Sequence, residues 1–457
     1  MVEKQVEDVV VIKTWGMKKL LILFLPLLFV GVVYAQTGTK DSVQAYKKRV
    51  LENIEIDLLG SYYTQTGENA ATSGGIGSEE LQDLAPSIIV SIPLNDDDVL
   101  TIDGNVSAYT SASSSNINPF DGREGVADPF VQSSGASKSD TWVNGTANYS
   151  HSSDDRNKIW SAKFSFSNEY DYTSIGFGGS FTKLFNEKNT ELSINANVFL
   201  DTWKLLYPIE LRTTGRKSDD DENFVLQNNT IPGNANYNPK FSPLNDKSRN
   251  SFSMGFSLSQ ILSERMQASF LLDLTYQSGL LSTPFHRIYF KDFEDSFIEN
   301  FQLADDIERL PNARFKIAAG GRLNYYINEF LVLRTYYRYY TDDWGINSHT
   351  ASIELPIKIG DKFTLYPSYR FYNQTSVDYF APYEQHLSTS EFYTSDYDLS
   401  EYAANQFGFG ITYTDIFTSM RVYKLGLKSI GLKYNYYERD SGLKANVVAL
   451  NLSFVLD

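Results

Sequence analysis

The chain contains no cysteine and only four histidines in 457 residues. Without cysteine there is no disulfide framework, no thiolate nucleophile, no cysteine zinc site and no acylated lipoprotein cysteine. Long apolar runs are also missing beyond residue 35, which excludes a helical membrane protein. Basic residues are the minority charge: 40 Lys and Arg stand against 56 Asp and Glu, for a formal charge of −16. Such a surface repels phosphate, so nucleic acid is not an expected partner. No zincin helix motif, phosphate loop or nucleophile elbow occurs, and no cofactor is expected.

What the chain does have is aromatic residues, 31 Tyr and 30 Phe, in a sequence only 42% hydrophobic. A transmembrane β-barrel has this composition, because its wall is apolar outside, polar inside and ringed by aromatics at both interfaces. The N-terminus agrees with export. Met17-Lys18-Lys19 precedes an apolar run from Leu20 to Val33, ending in Val33-Tyr34-Ala35. Those about fourteen apolar residues are too few to span a bilayer and suit a secretory signal peptide. Residues 1–35 are therefore expected to be removed after Sec export, with translation starting at Met17 and Gln36 as the mature N-terminus. Residues 36–53 are expected to form a short periplasmic extension or plug, and residues 54–457 the barrel.

Period-two alternation recurs along the mature chain. Phe252, Met254, Phe256 and Leu258 alternate with Ser253, Gly255, Ser257 and Ser259; Val448, Leu450, Leu452, Phe454 and Leu456 alternate with Ala449, Asn451 and Ser453. The same test gives sixteen strands, starting near Ile54, Ser87, Leu100, Thr141, Lys158, Thr173, Thr190, Ser251, Gln267, Ala313, Leu331, His349, Phe363, Gln406, Ser429 and Lys444. An even number lets a closed antiparallel up-and-down barrel form with no strand edge in lipid. Short connections such as Asn95–Asp98, Asn186–Lys188 and Gly360–Lys362 alternate with long ones at Gln65–Leu81, Ser111–Asp140, Trp203–Asn250, Leu280–Asn312 and Ser376–Asn405. Long connections should therefore share the external face. Aromatics near the outer strand ends, among them Tyr62-Tyr63, Trp203, Tyr276, Tyr339-Tyr340, Phe371-Tyr372 and Tyr436-Tyr437, are expected to form an interfacial girdle.

Taking the apolar set of each strand as lipid-facing leaves an uneven inward set. A basic lumen wall is expected from Arg322, Arg334, Arg338, Arg370 and Lys433, with Lys316 and Lys358 beside them. An acidic wall is expected from Glu55, Asp57, Asp103 and Asp273, with Asn105, Asn195 and Asn197. The transverse field of such a pore draws in a small anionic or zwitterionic solute. The alternative is that Arg334, Arg338 and Arg370 pair with inward carboxylates such as Glu354 and Asp273 and fill the barrel.

Asp96-Asp97-Asp98 and Asp219-Asp220-Asp221-Glu222 lack the spacing of a calcium loop, so a turn and a solvated charge run are the expectations, and no metal site is assigned. Ser348 and His349 cannot serve one catalytic triad, because neighbours in a strand point to opposite faces; no enzymatic role is expected.

The segments Thr283-Pro284-Phe285-His286-Arg287-Ile288-Tyr289-Phe290, Arg309-Leu310-Pro311-Asn312-Ala313-Arg314, Tyr339 to Thr350 with Asp342-Asp343-Trp344-Gly345, and Tyr393-Thr394-Ser395-Asp396 resemble a family of bacterial outer-membrane barrels, common in Bacteroidota, designated domain of unknown function 3570. The resemblance implies outer-membrane lipid and lipopolysaccharide as surroundings. Family genes often lie near those for a thioredoxin-like protein and a flavin transferase, implying an exported redox-related partner as the alternative to a porin-like role. The family supplies no site residues. Physically, Asp342-Asp343-Trp344-Gly345 reads as a tight turn with its Trp at the membrane interface.

Overall fold

In a computed structural model of the chain, residues 48–110, 139–205, 207–211, 230–237, 246–298 and 301–456 are described. The expected signal peptide, residues 36–47 of the expected 36–53 extension and the Asp219–Glu222 cluster lie outside them. Residues from Arg49 to Asp457 form one compact unit. One large antiparallel sheet dominates. Its staves are β1 (Ile54–Thr66), β2 (Leu81–Pro93), β3 (Asp98–Thr110), β4 (Ser139–Ser152), β5 (Lys158–Asn168), β6 (Tyr172–Phe185), β7 (Thr190–Trp203) and β8 (Lys247–Ser263). They continue with β9 (Met266–Gly279), β10 (Ala313–Asn328), β11 (Leu331–Asp342), β12 (Asn347–Glu354 and Ile357–Ile359), β13 (Phe363–Leu365 and Ser368–Gln374), β14 (Tyr402–Thr414), β15 (Leu425–Arg439) and β16 (Lys444–Leu456). Each pairs with the next, and β1 pairs with β16 from Ile54↔Leu456 to Thr66↔Lys444. That seam closes the sheet into a sixteen-stave barrel.

Closure explains the alternation. A strand in hydrocarbon must pair all its backbone groups with neighbours, and its side chains then point alternately to lipid and lumen. On β14, Phe407 and Phe409 are 52% and 51% exposed, whereas Gln406, Gly408, Gly410 and Thr412 occupy the other face. Proline interrupts the ladder where its missing N–H requires. Pro356 and Pro367 fall at the same height on neighbouring staves and split both β12 and β13, with the Leu355 N–H reaching the Pro367 carbonyl at 3.0 Å.

Several staves outrun the expected starts: β2 begins at Leu81, β8 at Lys247, β14 at Tyr402 and β15 at Leu425. The added residues include polar stretches such as Lys247-Ser248-Arg249-Asn250. They lie at the barrel rims, where a strand no longer needs an apolar face, so alternation marks only the lipid-contacting height.

Short turns gather at one end and long connections at the other. The apolar core in the ordinary sense sits within the long connections. Leu281, Leu310, Trp344, Ile346 and Val377 form one buried cluster; Leu211, Tyr289 and Ala304 another; Ile288, Phe290 and Tyr393 a third. Two short antiparallel pairs, Arg287–Ile288 with Asp306–Ile307 and Ser296–Ile298 with Phe301–Leu303, stiffen the 280–312 segment.

The face assignment is testable at one residue step. Leu258→Arg, on the lipid face, is expected to cost about 2–4 kcal/mol of barrel stability, whereas Ser257→Arg, one residue away on the lumen face, costs far less. Urea titration of folding into phosphatidylcholine vesicles, read by heat-modifiable gel mobility, checks both.

Candidate functional site

The β-ladder registers fix which charged side chains share the lumen. On β10 to β15 the inward set includes Arg322, Arg334, Arg338, Arg370, Lys433 and Lys428. Glu55 and Asp57 lie on β1, Asp103 on β3 and Asp273 on β9. Lys163 on β5, absent from the expected set, faces inward among the acidic staves opposite Asn148 and Gly178.

The two walls differ in how they are compensated. Arg334 binds Glu354 at 3.0 Å and Lys433 approaches the same carboxylate at 3.5 Å, so one acid serves two bases. Lys428 bonds Glu55 at 2.6 Å across the β15–β16–β1 surface. The Arg322 guanidinium lies 5.3 Å from the Tyr336 ring centroid. Asp57 accepts from the Ser453 hydroxyl and Asp103 from the Asn105 amide. Among the described residues, Arg338, Arg370 and Asp273 have no ion-pair partner. The expectation that Arg334 would pair with Glu354 describes that arginine; the pairing of Arg338, Arg370 and Asp273 with opposite charges does not occur. Asp273 instead stands beside Asn195 in the gap left by Gly255, where a Cβ would come within 3.0 Å of Asp273 Oδ1 and 2.6 Å of Asn195 Nδ2. A lumen cavity of about 560 Å³ extends from Ser61, Ser87 and Asn105 to Arg334, Glu354 and Lys433, joining the first three staves to the basic sector.

Aromatic doublets behave differently from the expected girdle. Consecutive residues on a strand must face opposite ways, so Tyr62, Tyr339 and Phe371 point outward while Tyr63, Tyr340 and Tyr372 point inward. The inward ring hydroxyls share one arrangement. Tyr63 donates to Gln65, Tyr340 to Asp342 and Tyr372 to Gln374, each at 2.6 Å, and the Arg439 Nε donates to Tyr437 at 2.8 Å. In every case the partner is two residues on, at the long-loop rim. These polar partners then hold the loops. Gln65 donates to the Glu79 carbonyl, Gln374 to the Asp398 and Ser400 carbonyls, and Arg439 to the Asp398 carboxylate.

Above this rim the loops pack into a cap. Arg287 is 1% exposed and Glu210 0%, with Nε–Oε1 at 2.6 Å, and the same guanidinium donates to the Thr72 carbonyl at 2.9 Å. One buried ion pair thus ties three connections together. Backbone bonds between Arg309 and Tyr393, at 3.0 and 2.8 Å, join the 280–312 and 375–401 segments. Gly74 and Gly75 have φ of 78° and 91°, and a Cβ on either would strike the Tyr289 ring or the Ser395 carbonyl at 2.7 Å. Only glycine fits that approach.

The Asp342-Asp343-Trp344-Gly345 turn belongs to the cap. Trp344 is 3% exposed within the cluster of Leu281, Leu310, Ile346 and Val377, and its Nε1 donates to the Ala313 carbonyl at 2.9 Å. The interface position expected for this Trp is corrected by that burial: loops fold over the ring and remove it from lipid. Asp342 accepts from the Trp344 and Ile346 amides and pairs with Arg314 at 2.5 Å, and Arg314 stacks 4.3 Å from the Trp344 ring centroid.

Deeper in the cap, the Glu308 carboxylate accepts from the Thr283 amide and the Thr394 hydroxyl, each at 2.6 Å, and stands 3.4 Å from His286 Nδ1. Asp396 lies beside them. Burial pushes its carboxyl up to about 7; His286 opposes this, while Asp398 and Glu308 add to it. Burial alone would lower the His286 pKa, but Glu308 outweighs it and the net shift is upward. Glu308 also borders a cavity of about 620 Å³ lined by Tyr207, Tyr237, Asp305, Asp306, Arg309 and Tyr393 among others. Burial raises Asp305 to about 6 despite its bond from the Phe290 amide, with Asp295 and Asp306 adding to the rise.

The remaining candidates have ordinary partners. Asp96 pairs with Arg49 at 2.8 Å, Asp97 with Arg156, and Asp98 bonds His151 Nδ1 at 2.6 Å, so the protein's own side chains engage this turn. His349 points outward and meets the Tyr337 hydroxyl at 2.7 Å, while Ser348 faces the lumen. Sequence reasoning missed the cap. Its residues lie in segments with no periodicity, and the only available signal was their unusual content of buried-type aliphatics and tryptophan for loops.

Two outcomes follow for the cap. Glu210→Gln removes the carboxylate charge that the buried Arg287 bonds, at about 3–5 kcal/mol; the expected result is protease cleavage within residues 280–312 while the barrel keeps its heat-modifiable mobility. Asp305 binds its proton more tightly folded than unfolded, so cap stability declines as pH rises from about 4 through about 6. Asp305→Asn makes that decline shallower, as hydrogen exchange of the 280–312 amides measured on both sides of the window should record.

A family model described as Protein of unknown function (DUF3570) matches residues 36–447. In a sequence comparison with curated proteins nothing matches. Among solved structures, the chain is similar to a bacterial polysaccharide outer membrane secretin, at 10% identity over 89% of this chain and 99% of that one, with a TM-score of 0.43. It is similar to a mutant ferric enterobactin receptor, PfeA of Pseudomonas aeruginosa, at 12% identity over 86% of this chain and 54% of the receptor, with a TM-score of 0.41. A Pseudomonas aeruginosa FadL homologue matches at 10% identity over 89% and 91% of the two chains, with a TM-score of 0.36. These likenesses concern the barrel fold alone, and the chain spans about half the length of the enterobactin receptor.

Proposed function

We propose that this chain, which belongs to the DUF3570 family, is an outer-membrane channel that passes a small anionic or zwitterionic solute under a folded extracellular cap. The observation that carries the reading is the pair of uncompensated lumen cations, Arg338 and Arg370, in the sector that also holds Arg322, Arg334 and Lys433. An unpaired guanidinium on a water-filled wall keeps its full field for a passing anion, whereas Arg334 and Lys433 are largely spent on Glu354. Residence in the outer membrane, after Sec export and loss of residues 1–35, fits the lipid-facing apolar belt, with lipid and lipopolysaccharide around it.

A second reading is favoured by the cap itself. Loops fastened over a mouth by a buried ion pair suit a non-conducting barrel that binds a surface or periplasmic protein, such as a member of an exported redox assembly. Conductance separates the two. In a planar bilayer the intact protein, or the cap-loosened Glu210→Gln variant, should carry stable, salt-dependent current with anions preferred. Replacing Arg338 and Arg370 together with Ala should lower the anion-to-cation permeability ratio several-fold. Absence of current from both proteins contradicts the channel and leaves the second reading.

A further inference from the structure

One group of side chains outside the lumen has the chemistry of a metal centre. His286, Glu308 and Asp396 each present one ligand atom, and the three atoms lie within 4.8 Å of one another. The residues come from sequence positions too far apart for any spacing motif, and cap packing alone unites them. The Glu308 amide bonds the His286 carbonyl at 2.8 Å, and Asp396 caps the short helix Tyr397–Leu399 through the Asp398 amide at 2.9 Å.

The carboxylates are oriented rather than used up. Each Glu308 oxygen accepts one short bond, from Thr283 or Thr394, and Asp396 Oδ1 accepts one from Asp398. A carboxylate offers about four lone-pair sites, so each keeps capacity for a ligand bond. Outer hydrogen bonds of this kind fix the direction of metal-binding carboxylates. The donor set itself, two carboxylates facing one imidazole, carries the charge a divalent cation offsets.

We propose that His286, Glu308 and Asp396 bind a divalent first-row cation, zinc in the first instance, within the cap. One nitrogen and two oxygen donors suit zinc or manganese better than calcium or magnesium, which take oxygen only, or copper(I), which prefers sulfur. Zinc bonds of about 2.0–2.2 Å require the three ligand atoms to close up by roughly an ångström, within reach of side-chain rotation. Three protein donors leave a coordination position free. Of the three, Glu308 also lines the cavity shared with Asp305, Asp306 and Arg309. Bound there, the ion would pin the 280–312 segment to the 375–401 segment.

The test uses the full-length folded barrel, stripped with a chelator and titrated with cobalt(II) as a spectroscopic stand-in for zinc. Saturable, stoichiometric binding with visible d–d absorption, reversed by added zinc, is expected. Asp396→Asn keeps the capping oxygen and the shape of the side chain; it and His286→Ala should each weaken binding roughly tenfold or more. Asp292→Asn, an exposed cap carboxylate bonded to Ser388, should leave binding unchanged. Barrel integrity is read separately by heat-modifiable mobility. Failure to saturate, or equal affinity in Asp396→Asn, His286→Ala and the unaltered protein, overturns the site.

Discussion

Backbone groups surrounded by hydrocarbon have no water to bond, and the architecture follows from that constraint. β1 must meet β16, because any unpaired edge would carry a row of bare amides and carbonyls into lipid. The seam runs without a register break from Ile54↔Leu456 to Thr66↔Lys444. Once the cylinder closes, each residue is committed to one face. Leu450 and Phe409 must meet lipid, and Lys433 and Asp57 must meet the interior. Interior charge is thus a direct consequence of strand parity, and the basic sector on β10 to β15 is its expression.

The same commitment displaces the hydrophobic core. Barrel apolar residues are spent on lipid, so burial among other apolar side chains happens in the connections instead. Trp344, Leu310, Val377 and Tyr289 pack there as they would in a small globular domain. The cap is not an independent body, since the barrel rim supplies its foundations. Inward tyrosines on four strands brace Gln65, Asp342, Gln374 and Arg439, and those residues grip the loops. In the channel proposed above, a charged lumen under a fastened cover would have its entry controlled at the rim.

The barrel was legible in the sequence because a two-residue period is a local signal: Phe252 to Ser259 announces its two faces without reference to any other strand. The rims were less so. Lys247 to Asn250 continue β8 with no apolar face, and hydropathy is silent where lipid ends. Aromatic doublets misled in a related way, since Tyr339 and Tyr340 cannot both reach the interface. The cap was least legible. Arg287 and Glu210 are distant in sequence, and nothing near either one marks its partner. The segments carrying the family resemblance, around His286, Arg309, Trp344 and Asp396, do converge in it, but their meeting is a property of three-dimensional packing.

The absence of cysteine makes the seam directly measurable. Ser61 and Ala449 stand opposite each other across β1 and β16 on the lumen face. With Ser61→Cys and Ala449→Cys, mild oxidation of the membrane-inserted protein should form a disulfide in high yield, because directly opposed residues place their Cα atoms about 4.5–5.5 Å apart, within disulfide range. Ser61→Cys with Leu450→Cys, one residue along and facing lipid, should not cross-link. Equal cross-linking of both pairs, or none in the first, would contradict a closed barrel in this register.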